Sequence, residues 1–233
     1  MLFLHEIHAV PGQTGAAFET LVRERWAPAV ASADGMRLVW CVRSMPGGVS
    51  YPELITMTAL ADGAALERFC ERVRHGDLRD PAAELEQSRA DITRRILAPM
   101  VFSPLTVDLD AIPAVPPSVD GPGEMYIHDF VPPRLGMQRT YETAMREVFM
   151  AMIEMEGIPI VIWAGLETIA GGGPIPESLM ISHIQGADAA IGLLSREVPR
   201  EEVTPGSWMF EGLKLRDTWT SRLVRSVSWS PIR

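Results

Sequence analysis

Phe3-Leu4-His5-Glu6-Ile7-His8 near the start of the chain returns after its middle as Tyr126-Ile127-His128-Asp129-Phe130-Val131. Both stretches run aromatic, aliphatic, His, acid, apolar. Each is followed by a turn, Pro11-Gly12 in one case and Pro132-Pro133 with Gly136 in the other, and then by a helical pattern. Side chains alternate along a strand, so Phe3, His5 and Ile7 share one face, and Tyr126, His128 and Phe130 share the matching face. One imidazole therefore sits mid-strand among apolar neighbours in each copy.

Landmarks test the repeat. His5 to His128 and Trp40 to Trp163 are each 123 residues apart. Pro52-Glu53 to Pro176-Glu177 is 124, and Phe102-Ser103-Pro104 to Trp229-Ser230-Pro231 is 127. A nearly constant offset marks a tandem duplication with small changes in loop length. The first module spans 1–107 and the second 124–233. Between them, 108–123 holds four prolines without apolar periodicity and reads as a stiff, extended connector.

Within the first module, Phe18, Leu21, Val22, Trp26, Ala29 and Val30 form one helical stripe ended by Gly35. Met36–Ser44 and Tyr51–Leu60 read as strands joined at Pro46-Gly47-Gly48. Asp62 begins a second helix. The charged run 80–97 reads as a third, solvated helix, and Pro99–Leu105 as a short closing strand at a sheet edge. The second module repeats the order. It has a helix over Leu135–Glu156, strands over Ile158–Thr168 and Glu177–Gln185, a turn at Gly171-Gly172-Gly173-Pro174, and a helix over Ala187–Arg196. A mixed run, 205–225, leads to a closing segment, 227–232.

Strand, helix, two strands, helix, closing strand is the split β-α-β-β-α-β, ferredoxin-like order. The predicted class is α+β: tandem ferredoxin-like modules forming an α+β barrel, with antiparallel sheets face to face and helices outside. His5 and His128 would then point into the interior.

The repeated first strand, the turn and the amphipathic helix resemble the dimeric α+β barrel superfamily. The Ser-Pro endings, Phe102-Ser103-Pro104-Leu105 and Trp229-Ser230-Pro231-Ile232, resemble NIPSNAP-like proteins within it. Where that family commonly carries an Arg in its first strand, this chain has His5 and His128. The resemblance implies the barrel fold. It also admits oxygenases, isomerases, cyclases, haem enzymes and non-catalytic assembly proteins.

Bulk properties exclude several classes. The 233-residue chain has a net charge of -9, which disfavours nucleic acid and anionic membrane surfaces. No stretch resembles a signal peptide or approaches the ~20 apolar residues of a membrane span. Cys41 and Cys70 are too few for a disulfide framework and are expected as buried thiols in a reducing, cytoplasmic setting.

The candidate site residues follow from the repeat. His5 and His128 suit proton transfer near neutral pH. Trp40, Trp163 and Tyr126 are large flat groups able to line an apolar pocket. Glu53 and Glu177 stand at strand entrances, and His183 occupies the place of Ala59. Glu6 and Asp129 point away from the adjacent His and read as solvated or capping groups. No His or Cys cluster has metal-ligand spacing, and the glycine run lacks the Lys-Ser/Thr of a phosphate loop. The expectation is a cofactor-free enzyme holding a small hydrophobic, aromatic or polyketide-like molecule in the barrel. It would act by His-mediated proton transfer in an isomerisation, cyclisation or oxygenation. The alternatives are a non-catalytic ligand-binding or assembly protein and a haem-binding enzyme. A homo-oligomer is expected.

Overall fold

The computed structural model describes residues 1–45, 52–156, 159–172, 176–186, 188, 205 and 208–232. The turn at Pro46-Gly47-Gly48, Gly173-Pro174 and nearly all of the expected helix Ala187–Arg196 lie outside the described residues. Among the described residues no helix is long and apolar enough to cross a membrane.

The fold is α+β. Eight antiparallel strands are hydrogen-bonded in the closed-barrel order β1-β3-β2-β8-β5-β7-β6-β4. They are β1 (Leu2–Ala9), β2 (Met36–Ser44), β3 (Glu53–Leu60), β4 (Asp91–Pro99), β5 (Met125–Val131), β6 (Ile160–Gly171), β7 (Ser178–Ile184) and β8 (Thr220–Ser226). By packing the chain forms two compact units. One gathers 1–98 with 106–123 and 224–233; the other gathers 99–105 with 124–223.

In the first unit β1 lies between β3 and β4, with His5 opposite Met57 on one side and Arg95 on the other. Helix α1 (Gly15–Leu21) runs through a π turn (Val22–Trp26) into α2 (Ala27–Ala31). Its four-residue spacing buries Phe18, Val22, Trp26 and Val30 on the sheet, together with Leu4 and Val10 from the β1 end. Helix α3 (Gly63–His75) starts where Asp62 Oδ1 accepts from the Ala65 amide at 2.8 Å and adds Phe69 to this core, edge-on to Trp26. Helix α4 (Arg79–Gln87) adds Leu85. The opposite face of β1, with Phe3, His5 and Ile7, is also buried. The strand is thus enclosed on both faces. Arg23 and Arg37 hold the connector to this unit through the carbonyls of Pro116 and Ile112.

The second unit repeats the arrangement. Helix α5 (Gln138–Ala144), a π turn (Met145–Phe149) and α6 (Met150–Glu156) bury Tyr141, Met145 and Ile153 against Met125, Val131, Ile160, Ile162, Met180 and Ile184. A short α7 (Trp208–Gly212) contributes Trp208.

The closing strands are displaced from their expected positions. The charged run 80–97 is half helix and half strand, since α4 ends at Gln87 and β4 occupies Asp91–Pro99. Its charges are absorbed by pairing, with Arg94 Nε donating to Glu6 Oε1 at 2.7 Å. Likewise β8 covers Thr220–Ser226, and the two Ser-Pro segments after β4 and β8 are turns. Those turns are tied identically. The Gly165 amide donates to Ser103 Oγ at 3.1 Å, and the Cys41 amide donates to Ser230 Oγ at 3.0 Å. The Met100 amide reaches the Gly165 carbonyl as the Val227 amide reaches that of Cys41. A side chain at Gly165 would collide with the Phe102 ring, 2.8 Å from an ideal Cβ. The fold class is therefore as the sequence implies, with the Ser-Pro turn of each module packed in the unit that holds the other module's first strand.

The tryptophan match shifts by one residue. Trp40 pairs with Met57, and Ala164 pairs with Ile181, so Trp163 sits at the β-bulge where the first copy has Val39. Trp40 is fully buried and Trp163 only partly so. Of the cysteines, Cys41 is buried, whereas Cys70 is exposed on the outer side of α3.

Replacing Ser103 or Ser230 by Ala should lower unfolding free energy by about 1–2 kcal/mol each, because an enclosed amide loses its acceptor. Urea denaturation measures this, and an unchanged midpoint in both variants would show that the serines do not anchor the turns.

Candidate functional site

Alternation places Asp129 and Val131 on the face of β5 turned toward α5, opposite His128. Between that face and the helices lies a cavity of about 110 Å³. Its polar lining is Asp129, Ser182, Tyr141 and Arg216, and its aromatic walls are Phe149, Trp208 and Trp219. Val131, Met145 and Met180 complete it.

Burial pushes the Asp129 carboxyl up to about 6; a hydrogen bond from Ser221 and the charge of Arg216 pull the other way. Burial likewise raises the Tyr141 phenol to about 12, so it stays neutral. Arg216 donates to that phenol and holds its guanidinium 4.4 Å from the Trp219 ring and 5.7 Å from that of Trp208. Its backbone is fixed by a bridge to Pro133. Two enclosed atoms have no hydrogen-bond partner: Asp129 Oδ1, an acceptor, and Arg216 Nε, a donor. A carboxyl raised to about 6 that shares a largely aromatic hollow with a guanidinium is suited to exchanging a proton beside a stabilised negative charge.

In the first copy Arg89 Nε is likewise enclosed without a hydrogen-bond partner, while the acid Glu6 is paired with Arg94. There His8 holds the place of Val131, with Nε2 at 3.0 Å from Thr56 Oγ1 and Nδ1 at 2.9 Å from an Arg89 Nη1. Its ring lies 5.2 Å from Phe18. Burial, the largest cause, lowers the His8 imidazole to about 4, so it is neutral. Arg89 also pairs with Glu86, and Arg94 pairs with Glu6. Of the two acids expected to be solvated, Glu6 is buried, and Asp129 is half-buried with its Oδ1 enclosed, because the helices also cover this face of β1 and part of that of β5.

The sequence-predicted residues distribute as follows. His5 and His128 are fully buried on the sheet faces turned away from the helices. His5 and Trp40 flank Met57 from neighbouring strands. Tyr126, Trp163 and His183 come together, with the Tyr126 ring 5.8 Å from Trp163 and 5.3 Å from His183. His183 Nε2 is 3.0 Å from Glu124 Oε2. His128 lies edge-on to Phe130. Glu53 accepts from Ser44 Oγ at 2.8 Å at the strand entrance, and the Glu177 carbonyl accepts from the Thr168 amide. Neither Glu lines the cavity.

No family model and no curated protein matches the chain. Solved structures do. An anthrone oxidase-like protein superposes with a TM-score of 0.59 at 13% identity, covering 97% of this chain and 91% of that one. A chlorite dismutase variant from Candidatus Nitrospira defluvii gives a TM-score of 0.51 at 8% identity, over 97% and 91% of the two chains. These likenesses establish the fold. A NIPSNAP family protein from Agrobacterium tumefaciens str. C58 matches 45% of this chain and 98% of its own at 24% identity, with a TM-score of 0.38. That superposition is too loose to single out the NIPSNAP-like branch.

Sequence reading took Asp129 for a solvated or capping group and passed over Tyr141 and Arg216. One signal was present: Arg89 and Arg216 are 127 residues apart, the same offset as the Ser-Pro turns.

Asp129 carries a testable stability signature. Its folded value lies above that of a free carboxyl, so its protonated form favours the fold and this advantage is lost as pH rises from about 4 through about 6. Asp129→Asn should therefore gain on the parent protein by roughly 2 kcal/mol between pH 4 and pH 8. Urea unfolding across that range checks it; a pH-independent difference would mean the carboxyl is not desolvated.

Proposed function

We propose that the chain is a small-molecule enzyme that moves a proton on a compact, largely apolar substrate held between β5 and its helices. The observation that carries this reading is that Asp129 and Arg216 line one aromatic cavity and each keeps an enclosed atom, Oδ1 and Nε, without a hydrogen-bond partner. Asp129 is the general base. Arg216 donates toward an oxygen on which negative charge develops, as an enolate does when a proton leaves the carbon beside a carbonyl. Trp208 and Trp219 keep the guanidinium in place, and Tyr141 remains a neutral acceptor for it. Isomerisation, cyclisation or cofactor-free oxygenation each begin with such a step. The likeness to an anthrone oxidase-like fold supports an oxidative or enolisation chemistry for the same scaffold. Haem does not fit this cavity. A macrocycle needs several times about 110 Å³, and the described lining holds neither His nor Cys.

A second reading rests on the other sheet face. His5 is fully buried with Arg95 beside it in register, and in the second copy the 127-residue offset brings Arg222 to the strand next to His128. This reading assigns the proton transfer to His5 or His128, with Tyr126, Trp163 and His183 gathered on the second copy's face.

Solvent exchange separates the two. A panel of small ketones and phenols in D₂O, followed by proton NMR, should show deuterium incorporation catalysed by the parent protein. Asp129→Asn should slow it about 100-fold or more and His128→Gln less than about threefold. Loss in His128→Gln with retention in Asp129→Asn would transfer the role to the imidazole, and loss in neither would end both readings.

A further inference from the structure

In the cavity beneath β5 the unmet demand belongs to the acid. Arg216 already has the Tyr141 phenol as an acceptor and two indole rings against its guanidinium. Asp129 meets Ser221, yet its Oδ1 is enclosed without a donor. Leaving an enclosed carboxylate oxygen unpaired is costly, so a molecule that brings a donor is favoured there. The surfaces around it are flat and apolar. Phe149, Tyr141, Trp208 and Trp219 supply rings, and Val131, Met145 and Met180 supply aliphatic sides.

Size narrows the occupant. An apolar protein cavity of about 150 Å³ takes up benzene. The hollow here, about 110 Å³, has room for a single small ring and not for a fused ring system. It is open at one side, since Trp219 lines it and is 41% exposed. A larger molecule therefore enters by one ring and leaves the remainder outside Trp219. Charge narrows the occupant further. A cation would answer Asp129 but would meet the positive charge of Arg216, which acts on the same carboxyl. An anion brings no hydrogen to Oδ1. A neutral hydroxyl brings one and adds no charge.

We propose that this cavity takes the hydroxyl-bearing edge of one flat ring, that of a phenol, with the O–H donated to Asp129 Oδ1 and the ring against the aromatic walls. The class deepens the proposed function, because a phenol is the enol tautomer of a ring ketone. It rests on the cavity being the substrate site and not on Asp129 acting as a base.

Phenol is the probe, and fluorobenzene, of similar shape without the O–H, is its control. At pH 8 phenol is largely uncharged and Asp129 is ionised. Titration into the full-length protein, followed by saturation-transfer NMR, should give phenol a dissociation constant on the order of 1 mM. Fluorobenzene should bind about tenfold more weakly or worse. Asp129→Ala should erase that preference, bringing the two affinities within about threefold of each other. Fluorobenzene binding retained in that variant shows it to be folded. Val131→Phe, which puts a ring into the hollow, should weaken both ligands about tenfold or more. Equal affinity for phenol and fluorobenzene in the parent, or a preference for phenol that survives Asp129→Ala, overturns the proposal. So does phenol binding unaltered in Val131→Phe, or no saturable phenol binding below about 20 mM in the parent. Preference for phenol together with unchanged solvent exchange in Asp129→Asn would uphold the ligand class and remove the base assignment. Exchange that needs Asp129 without any preference for phenol would retire the ligand class alone.

Discussion

A strand covered on both faces has nowhere to put a charge cheaply, and β1 and β5 each carry an acid and an imidazole in adjacent positions. Alternation sends the two to opposite faces, so each must be accommodated separately. On the helix side of β1 this is achieved by a closed set of partners, in which Glu6 takes Arg94 and His8 lies between Thr56 and Arg89. Both groups are enclosed, and the neutral state of His8 follows from desolvation outweighing the nearby Glu6. The helix-side chemistry of the whole molecule is a variation on this one requirement.

The duplication makes the requirement visible, since the same positions were solved twice. In the second copy the acid meets Ser221 in place of an arginine, Val131 stands in place of the imidazole, and Arg216 has the Tyr141 phenol where Arg89 has the His8 ring. The arginine Nε is unpaired in both copies, a cost that both arrangements carry. Apolar voids left by truncation cost about 24 cal/mol per Å³, so a hollow of about 110 Å³ would weigh roughly 2–3 kcal/mol if nothing occupied it. That exceeds the effect of most surface substitutions. Phe149, Trp208 and Trp219 could have grown inward to close it, yet they form its walls and hold the guanidinium in place.

Much of the architecture was legible because period and punctuation survive duplication. The His-bearing strand, the four-residue stripe beneath it and the Ser-Pro turns all reappear at near-constant spacing. Charged segments were less legible. The run Asp91-Ile92-Thr93-Arg94-Arg95 looks like a solvated helix, and only the partner of Arg94 explains why it is a strand. The tryptophans misled for a different reason. A bulge in each middle strand leaves Trp40 in register with Met57 but moves Trp163 to the unpaired position, so equal spacing along the chain did not mean equal place in the sheet. The cavity was hidden because its polar groups come from β5, α5, β7 and the segment before β8. No local pattern announces that four such residues will meet. The acids were misjudged by treating the face opposite a buried His as solvent-facing, which holds for a sheet covered once and fails for one covered twice.

The two faces of β5 therefore differ in what they can do. His128 is fully buried next to the Phe130 ring, with Tyr126 on the same face of β5 and Asp129 on the other. Asp129 stands in a hollow with a cation held at fixed distance by two indoles and a carboxyl value close to neutrality. Proton transfer needs room for the group that gives or takes the proton, and the described cavity opens beside the carboxylate. The first copy supports the same conclusion from the opposite direction. Its own imidazole, anchored by Thr56 and Arg89, takes up the corresponding place, so the equivalent scaffold there is committed to holding the sheet against its helices. In the second copy Val131 stands at that place and Tyr141 rather than Phe18 meets the arginine, and a hollow remains between the strand and its helix.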